Sequence, residues 1–172
     1  MEKYVIFFRG INVGGNNLLP MKALVPLLEE AKFKEVSSYI QSGNVVLKSS
    51  TNPADIIEKL VLDNFGFLPE LFILTATDFC TVVVNNPYQM FEGKFVHFYF
   101  CHKAIVINQE KMTKYLSKTE NYLVKDKVFY LHAPDGIGRS KLVANIEACL
   151  GQPASGRNLN TTNKVSTMLS RM

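Results

Sequence analysis

The sequence predicts an α+β protein made of two consecutive β-α-β-β-α-β units, each with an antiparallel sheet. Two observations support this prediction. Short runs rich in β-branched and aromatic residues alternate with segments of helical periodicity. The same order of elements also occurs twice along the 172 residues.

The first unit begins with an apolar run that is typical of a strand. The pattern predicts, in order, a strand at Tyr4–Phe8, a helix from Pro20, strands at Val36–Gln41 and Asn44–Lys48, a helix capped by Asn52 and a strand at Leu71–Thr75. Pro26 lies inside the first helical pattern, and we expect it to kink or shorten that helix.

The second unit follows a connecting helix around Asp78–Val84 that ends at Asn85-Asn86-Pro87. Its predicted elements are a strand at Lys94–Cys101, a helix capped by Asn108, strands at Tyr122–Lys125 and Val128–His132, a helix at Ser140–Leu150, a short strand at Ala154–Asn158 and a last helix from about Asn160. We therefore expect a subdomain over residues 1–76, a connecting helix and linker over 77–92, and a second subdomain with the C-terminal helix over 93–172. Both subdomains have the ferredoxin-like order.

Composition places the chain among ordinary globular proteins, with 47% hydrophobic and 20% charged residues. No run approaches the ~18 apolar residues of a membrane span, so we expect a cytoplasmic protein without a membrane partner. The three cysteines are widely spaced and odd in number, which predicts buried thiols in a reducing compartment and no disulfide framework.

Charge is unevenly distributed around a net value of +4. Residues 1–75 carry seven Lys and Arg against eight Asp and Glu, whereas residues 76–172 carry twelve against seven. This bias fits an acidic ligand. Nucleic-acid binders usually have denser basic patches, so a nucleic-acid partner is not favoured.

The first candidate site is the loop after the first strand, which contains Arg9, Asn12, Gly14 and Gly15. Glycines allow positive φ and a close approach of the backbone to a ligand, and a loop that enters a helix can direct N–H groups at an anion. Neither nucleotide-binding glycine fingerprint is present. Alternatively, the loop has only a structural role, as a conformationally demanding connection in which Arg9 pairs with a carboxylate.

The second candidate is the turn with Gln41 and Asn44 on either side of Ser42-Gly43. Turn chemistry explains this motif well. We expect the second strand to run opposite to the first, which would place this turn at the sheet end away from Arg9.

Two further loops lie in the second half. Gly138, Arg139, Ser140 and Lys141 enter a predicted helix, with Ser140 as its cap and two cations at its positive end. A bound anion or a nearby carboxylate would offset that charge. In the loop before the last helix, Asn160 or Thr161 is the expected cap.

Capping leaves Arg157 and Asn158 unexplained in that last loop, and we keep both as candidates. The three histidines have no ligand spacing, so we expect no metal site. No catalytic group, cofactor or oligomeric state is indicated.

Four motifs resemble those of one family. RGINVGG at residues 9–15, YIQSGNVV at 39–46, GRSKL at 138–142 and RNLNT at 157–161 are similar to the bacterial domain of unknown function 1697. Leu159 stands where an aromatic residue is expected. The resemblance implies a bacterial origin and two ferredoxin-like subdomains, and it implies no activity.

Three functions fit these observations. The first is binding of a small anionic or polar ligand, such as a nucleotide or phosphorylated metabolite, by the arginine loops. The alternative is a phosphoryl- or acyl-transfer enzyme or hydrolase that uses the same loops, by analogy with acylphosphatases. The third is weak single-stranded nucleic-acid binding on the sheet, where Val5–Phe8 is the candidate stacking strand.

Overall fold

The computed structural model describes residues 1–172, and their backbone contacts form two units. The first unit comprises Met1–Thr81 and Lys164–Met172, and the second comprises Val82–Asn163. This division differs from the boundaries expected from the sequence, because most of the last helix belongs with the first unit. Both boundaries also fall inside helices, where the sequence gives no linker signal.

The first unit has the predicted β-α-β-β-α-β order. Its elements are β1 Glu2–Arg9, α1 Met21–Glu30, β2 Lys34–Tyr39, β3 Asn44–Ser49, α2 Ala54–Phe65 and β4 Glu70–Thr75. The sheet has the order β2-β3-β1-β4, and all neighbouring strands are antiparallel. The ferredoxin-like fold is therefore confirmed for this unit.

Helix α1 continues past Pro26 to Glu30. A proline inside a helix costs about 3 kcal/mol. The side chains of Leu24 and Leu28 are fully buried on either side of it. Burying one leucine contributes about 1.5–3 kcal/mol, so packing of the apolar face offsets the loss.

The second unit repeats the order after a connecting helix. Its elements are α3 Ala76–Val84, a 3₁₀ turn at Gly93–Phe95, β5 Val96–Cys101, α4 Gln109–Tyr115, β6 Asn121–Lys125, β7 Val128–His132, α5 Lys141–Ala144, α6 Ile146–Leu150, β8 Ala154–Asn158 and α7 Leu159–Ser170. The sheet order is β6-β7-β5-β8, again fully antiparallel. Helices α3 and α7 each contain a boundary between the two units.

The single helix expected over Ser140–Leu150 is wrong. Asn145 has φ −120° and ψ 20°, which separates α5 from α6. Its Nδ2 donates a hydrogen bond to the Lys141 carbonyl over 2.8 Å, and asparagine side chains of this kind compete with helical backbone bonds. Helix α5 is consequently only four residues long.

Each central strand is buried on both faces. In β1 the side chains of Ile6 and Phe8 face α1 and α2, while Phe7 faces the other way and packs against Phe79 of α3 with ring centroids 6.1 Å apart. The second half of α7 lies on that second face, where Lys3 Nζ donates to the carbonyls of Leu169 and Met172. All six residues of β5 are buried as well.

Two of the three cysteines are buried, as the sequence predicts, and all three are free thiols. Burial raises the pKa of Cys101 to about 11 and also raises the pKa of Cys149, so both are protonated near neutral pH. Cys80 is exposed on α3, contrary to expectation. The chain contains no helix of the length and apolarity needed to cross a membrane.

Phe129 provides a test of the core of the second unit. Its fully buried ring stacks on Tyr122 at 5.2 Å and meets Tyr99 edge-on at 6.1 Å. We expect Phe129→Ala to lower the free energy of unfolding by about 3–5 kcal/mol in urea denaturation. The control Leu123→Ala, on an exposed side chain, should cost about 0.5 kcal/mol. Equal losses in the two variants would contradict this view of the core.

Candidate functional site

The Arg9 loop and the Gln41 turn lie at the same end of the first sheet. Strand β3 is antiparallel to both β1 and β2, so β1 and β2 run in the same direction. The expectation that the two strands run oppositely is therefore wrong, because a helix that crosses between strands of one sheet joins parallel strands. The loop after β1 and the turn after β2 consequently converge.

Asn12 holds this loop together through its side chain. Its Oδ1 accepts from Leu19 N–H over 2.7 Å, and its Nδ2 donates to the carbonyls of Leu19 at 3.0 Å and Gln41 at 2.7 Å. One amide group thus joins the two ends of the loop to the neighbouring turn. Asn12 has φ +55°, a left-handed conformation that asparagine tolerates better than most residues.

The tip of the loop is a narrow turn. Asn12 N–H donates to the Asn17 carbonyl over 3.1 Å, and Asn16 N–H donates to the Val13 carbonyl over 3.0 Å. Gly14 and Gly15 occupy the two central positions with φ +59° and +75°. The glycines are therefore explained by the turn itself, because both positions need positive φ.

Gly43 is required by both its conformation and its surroundings. Its φ is +90°, and a Cβ atom at this position would lie 2.7 Å from Ile11 Cδ1 and 2.7 Å from Phe8 Cβ. The Gly43 carbonyl accepts from Phe8 N–H over 2.9 Å. This close contact is what brings the turn against the Arg9 loop.

The other two candidates in the turn also have structural partners. Asn44 is fully buried, and its Nδ2 donates to the Tyr39 carbonyl at 2.9 Å and to Ser42 Oγ at 3.2 Å. Gln41 is exposed, and its Oε1 accepts from Met21 N–H at the start of α1 over 3.5 Å. Turn chemistry, which the sequence favours here, is confirmed.

Arg9 forms an ion pair with a carboxylate, as expected if the loop after β1 has only a structural role. Its Nη1 lies 2.7 Å from Glu70 Oε2, and the two residues are direct partners across β1 and β4. Both side chains are about one-third exposed, so the pair contributes modestly to stability. Glu70 stands just before the apolar run that predicts β4, and nothing in the sequence marks it as the partner of Arg9.

A second group of candidates lies at one end of the second sheet. The segment of residues 133–141 follows β7 and ends at the first residue of α5, and the loop of residues 116–120 precedes β6; we call these two segments the cation loops. Thr119 Oγ1 donates to Asp135 Oδ2 over 2.6 Å, and Ser140 Oγ donates to Glu120 Oε2 over 2.6 Å. Two side-chain hydrogen bonds therefore connect the loops.

Ser140 is the cap of α5, as predicted, and Glu120 is the nearby carboxylate. Ser140 Oγ accepts from Val143 N–H over 3.1 Å, while Glu120 is only 8% exposed and its Oε1 accepts from Ser117 N–H over 2.9 Å. Sequence reasoning missed Glu120. The spacing Ser117-Lys118-Thr119-Glu120 is that of a capping box, which was the available signal.

Three cations on these loops are exposed and form no ion pair: Lys118, Arg139 and Lys141. Gly138 precedes Arg139 in an open position where a Cβ would meet nothing within 4 Å. Because α5 is a single turn, the dipole argument made for a long helix does not apply here.

The net charge of the protein lies entirely in the second unit. That unit carries ten Lys and Arg against six Asp and Glu, whereas the first unit carries nine of each. The cation loops thus belong to a positively charged body, and the Arg9 loop belongs to a neutral one.

Arg157 and Asn158 lie in β8. Asn158 Oδ1 accepts from Thr161 N–H over 2.9 Å and caps α7, so the caps expected at Asn160 or Thr161 are wrong by two or three residues. Arg157 is 8% exposed, and its Nη1 donates to Ser155 Oγ at 2.9 Å and to the Gly156 carbonyl at 2.7 Å. Burial lowers the pKa of Arg157 to about 10.

His97 in β5 is a buried residue that the sequence did not single out. It is 7% exposed, and its Nε2 has no hydrogen-bond partner. A hydrogen bond to the Lys94 backbone involves the other ring nitrogen, yet burial lowers the pKa of His97 overall. A polar residue inside a fully apolar central strand was the available signal. No three His, Cys, Asp or Glu side chains form a group that could hold a metal ion.

Comparison with known proteins agrees with a fold of two ferredoxin-like units. The model of the family "Protein of unknown function (DUF1697)" matches residues 1–130, and the chain belongs to this family. The chain is also similar to the solved structure of the conserved bacterial protein SP0830 from Streptococcus pneumoniae. The two share 25% sequence identity over 98% of each chain, with a TM-score of 0.75. No curated protein matches the chain.

Gly43→Ala tests the convergence of loop and turn in the first unit. We expect it to lower the free energy of unfolding by about 2–5 kcal/mol, because it combines left-handed strain with overpacking against Phe8 and Ile11. Gly14→Ala is the matched control, since it has the same strain and no neighbour within 4 Å, and it should cost about 1–2 kcal/mol. Thermal and urea denaturation measure both. Similar losses would show that Gly43 is not in close contact.

His97 makes stability depend on pH. The pKa of His97 is lowered in the folded state, so below about pH 6.5 the unfolded chain takes up a proton that the folded chain does not. The contribution of the neutral His97 ring to the free energy of unfolding is therefore fully present above that pH. It is lost as the pH falls through the lowered pKa. We expect His97→Asn, which cannot titrate, to lose less stability than the parent protein between pH 7.5 and 5. Parallel pH profiles from chemical denaturation would contradict this assignment.

Proposed function

We propose that the chain binds a small anionic ligand, carrying phosphate or carboxylate groups, at the cation loops. The observation that carries this proposal is the presence of three exposed cations without ionic partners on two connected loops: Lys118, Arg139 and Lys141. An arginine can form two parallel hydrogen bonds to such a group, and lysines add point charge.

The loops are ordered by their own hydrogen bonds. Gly136 N–H donates to the Ala133 carbonyl over 2.9 Å, and Ser140 N–H donates to the Ile137 carbonyl over 3.2 Å, so residues 133–140 form two consecutive turns. The bonds from Thr119 to Asp135 and from Ser140 to Glu120 fix the second loop to the first. Order that exists before binding lowers the entropic cost of binding.

The Arg9 loop is a weaker candidate for the same role. Arg9 already faces Glu70, and Asn12 is used to hold the loop. Large exposed apolar side chains lie around it, with Val13 at 67%, Leu18 at 60% and Ile40 at 50%, and the exposed polar side chains of Asn16, Asn17, Gln41 and Ser42 carry no charge. This composition argues against an anion site, and it also weakens the acyl- or phosphoryl-transfer alternative built on Arg9.

Single-stranded nucleic acid has no stacking surface on β1. Val5 and Phe7 are completely buried and Phe8 is 1% exposed, so none of the candidate side chains of this strand can contact a base. Sheet-surface binders need exposed aromatic rings on their central strands. We therefore do not propose this function for the first sheet.

We also propose that the protein works in a reducing compartment, such as the cytoplasm. The support is chemical: two buried thiols and one exposed thiol remain unpaired. Free thiols of this kind persist where disulfides are kept reduced.

The proposed site is tested with tripolyphosphate as the ligand. We expect isothermal titration calorimetry to detect binding that weakens as salt is added, because exposed charges are screened. The double variant Arg139→Ala/Lys141→Ala should bind at least about tenfold more weakly, since each charge-assisted hydrogen bond contributes about 1.5–3 kcal/mol.

Lys127→Ala is the matched control for this experiment. Lys127 is exposed and lies in the turn between β6 and β7, at the opposite end of the same sheet. Its removal lowers the charge of the unit without touching the cation loops, and it should leave the affinity within about twofold. The proposal fails if the parent protein does not bind tripolyphosphate, or if Lys127→Ala weakens binding as much as the double variant.

A further inference from the structure

We infer that the anion bound at the cation loops carries a nucleobase, so that the ligand is a free nucleotide whose base stacks on Phe91. This inference rests on the proposed function. It goes further by naming the ligand class and a residue that no charge argument would select.

Phe91 is distinctive among the aromatic residues. The chain has 12 Phe and 7 Tyr, and Phe91, at 42% exposure, is the single one that is exposed. Its ring lies parallel to the imidazole of His132, with centroids 3.9 Å apart and planes inclined by 11°. His132 therefore stacks on one face of the ring, while 42% of the residue remains exposed.

The segment that carries Phe91 is held in place by several hydrogen bonds. Phe91 N–H donates to the Tyr88 carbonyl over 3.2 Å, and Tyr88 N–H donates to Asn86 Oδ1 over 2.9 Å. Gln89 Nε2 donates to the Asn86 carbonyl over 3.1 Å. The ring of Tyr88 adds a second contact to His132, with centroids 5.8 Å apart. We call the rings of Phe91, Tyr88 and His132 the platform. Contacts within the protein are thus sufficient to hold it in place.

The platform and the cation loops adjoin each other in the second unit. His132 is the last residue of β7, and the first cation loop begins at the next residue. Ala133 N–H donates to the Phe95 carbonyl over 2.9 Å, which ties the start of that loop to the chain just after Phe91. On the next strand His132 is paired with Asn121, the residue that follows the second cation loop.

This combination of groups matches the two parts of a nucleotide. A base stacks on any aromatic face through its π-system, and phosphates bind to arginine and lysine. A ligand that consisted of phosphate alone would make no use of the exposed ring of Phe91, which stacks on His132. A base that covers the ring removes its apolar surface from water.

The presence of a single exposed ring favours a free nucleotide as the ligand over a single-stranded nucleic acid. Proteins that bind single strands stack successive bases on several aromatic side chains. In this sheet the rings of Phe98, Phe100, Phe129 and Tyr130 are at most 2% exposed, Tyr99 is 6% exposed, and the ring of Tyr122 stacks on Phe129. Phe91 is therefore the exposed ring on which a base can stack, and one ring stacks with one base.

The experiment compares ATP with tripolyphosphate by isothermal titration calorimetry. We expect the parent protein to bind ATP roughly tenfold to a hundredfold more tightly, which is the usual effect of one base–aromatic stack. Phe91→Ala should reduce the affinity for ATP to that for tripolyphosphate and leave the latter unchanged. Phe91→Tyr should retain the preference, and so should Met90→Ala, because Met90 is an exposed neighbour without a ring.

The possible results separate this inference from the proposed function. Equal affinities for ATP and tripolyphosphate in the parent protein would overturn the nucleotide inference while the anion site stands. Absence of binding by both ligands would overturn both. A ten-residue oligothymidylate that binds more tightly than ATP, and depends on Phe91, would identify a strand as the ligand and overturn the assignment to a free nucleotide. Circular dichroism of each variant shows whether the fold is retained.

Discussion

Burial of Tyr4–Phe8 in the central strand β1 and of all of β5 determines where polar chemistry can occur in this protein. Each strand pairs with a neighbour on both edges, and both of its faces are covered. A polar group placed there must find a partner or cost free energy, so the buried parts of these strands are almost wholly apolar. Most candidate site residues consequently lie in the loops at the sheet ends, while Arg9, Asn44, Arg157 and Asn158 lie in the first or last residues of their strands.

His97 shows the cost of departing from this rule. It is the polar residue of β5, and its Nε2 is buried without a partner. The folded state therefore favours the neutral ring, and the lowered pKa follows from the same burial that excludes polar groups from the rest of the strand. Burial of His97 in the sheet therefore also makes the stability of the second unit depend on pH.

Much of the fold could be predicted from the sequence, because alternation and turn residues report local conformation directly. The strand limits at Val128–His132 and Ala154–Asn158 and the cap at Asn108 are confirmed. What the sequence could not provide is the direction and pairing of distant strands. The turn at Gln41 was placed at the wrong sheet end for this reason, although the local reading of the turn was sound. Similarly, Glu70 and Glu120 become partners of Arg9 and Ser140 only after the chain has folded.

The two units share an architecture and differ in how their loops are used. In the first, Asn12 is bonded within the loop after β1 and Arg9 is paired with Glu70, and the exposed side chains that remain in this loop are uncharged. In the second, the carboxylates of Glu120 and Asp135 accept hydrogen bonds from hydroxyl groups and form no ion pair with the neighbouring cations. Lys118, Arg139 and Lys141 are thus exposed without an ionic partner in the protein, which is the basis of the proposed anion site. The distinction between the units therefore lies in what their acids are bonded to, and it supports the proposal of a ligand site in the second.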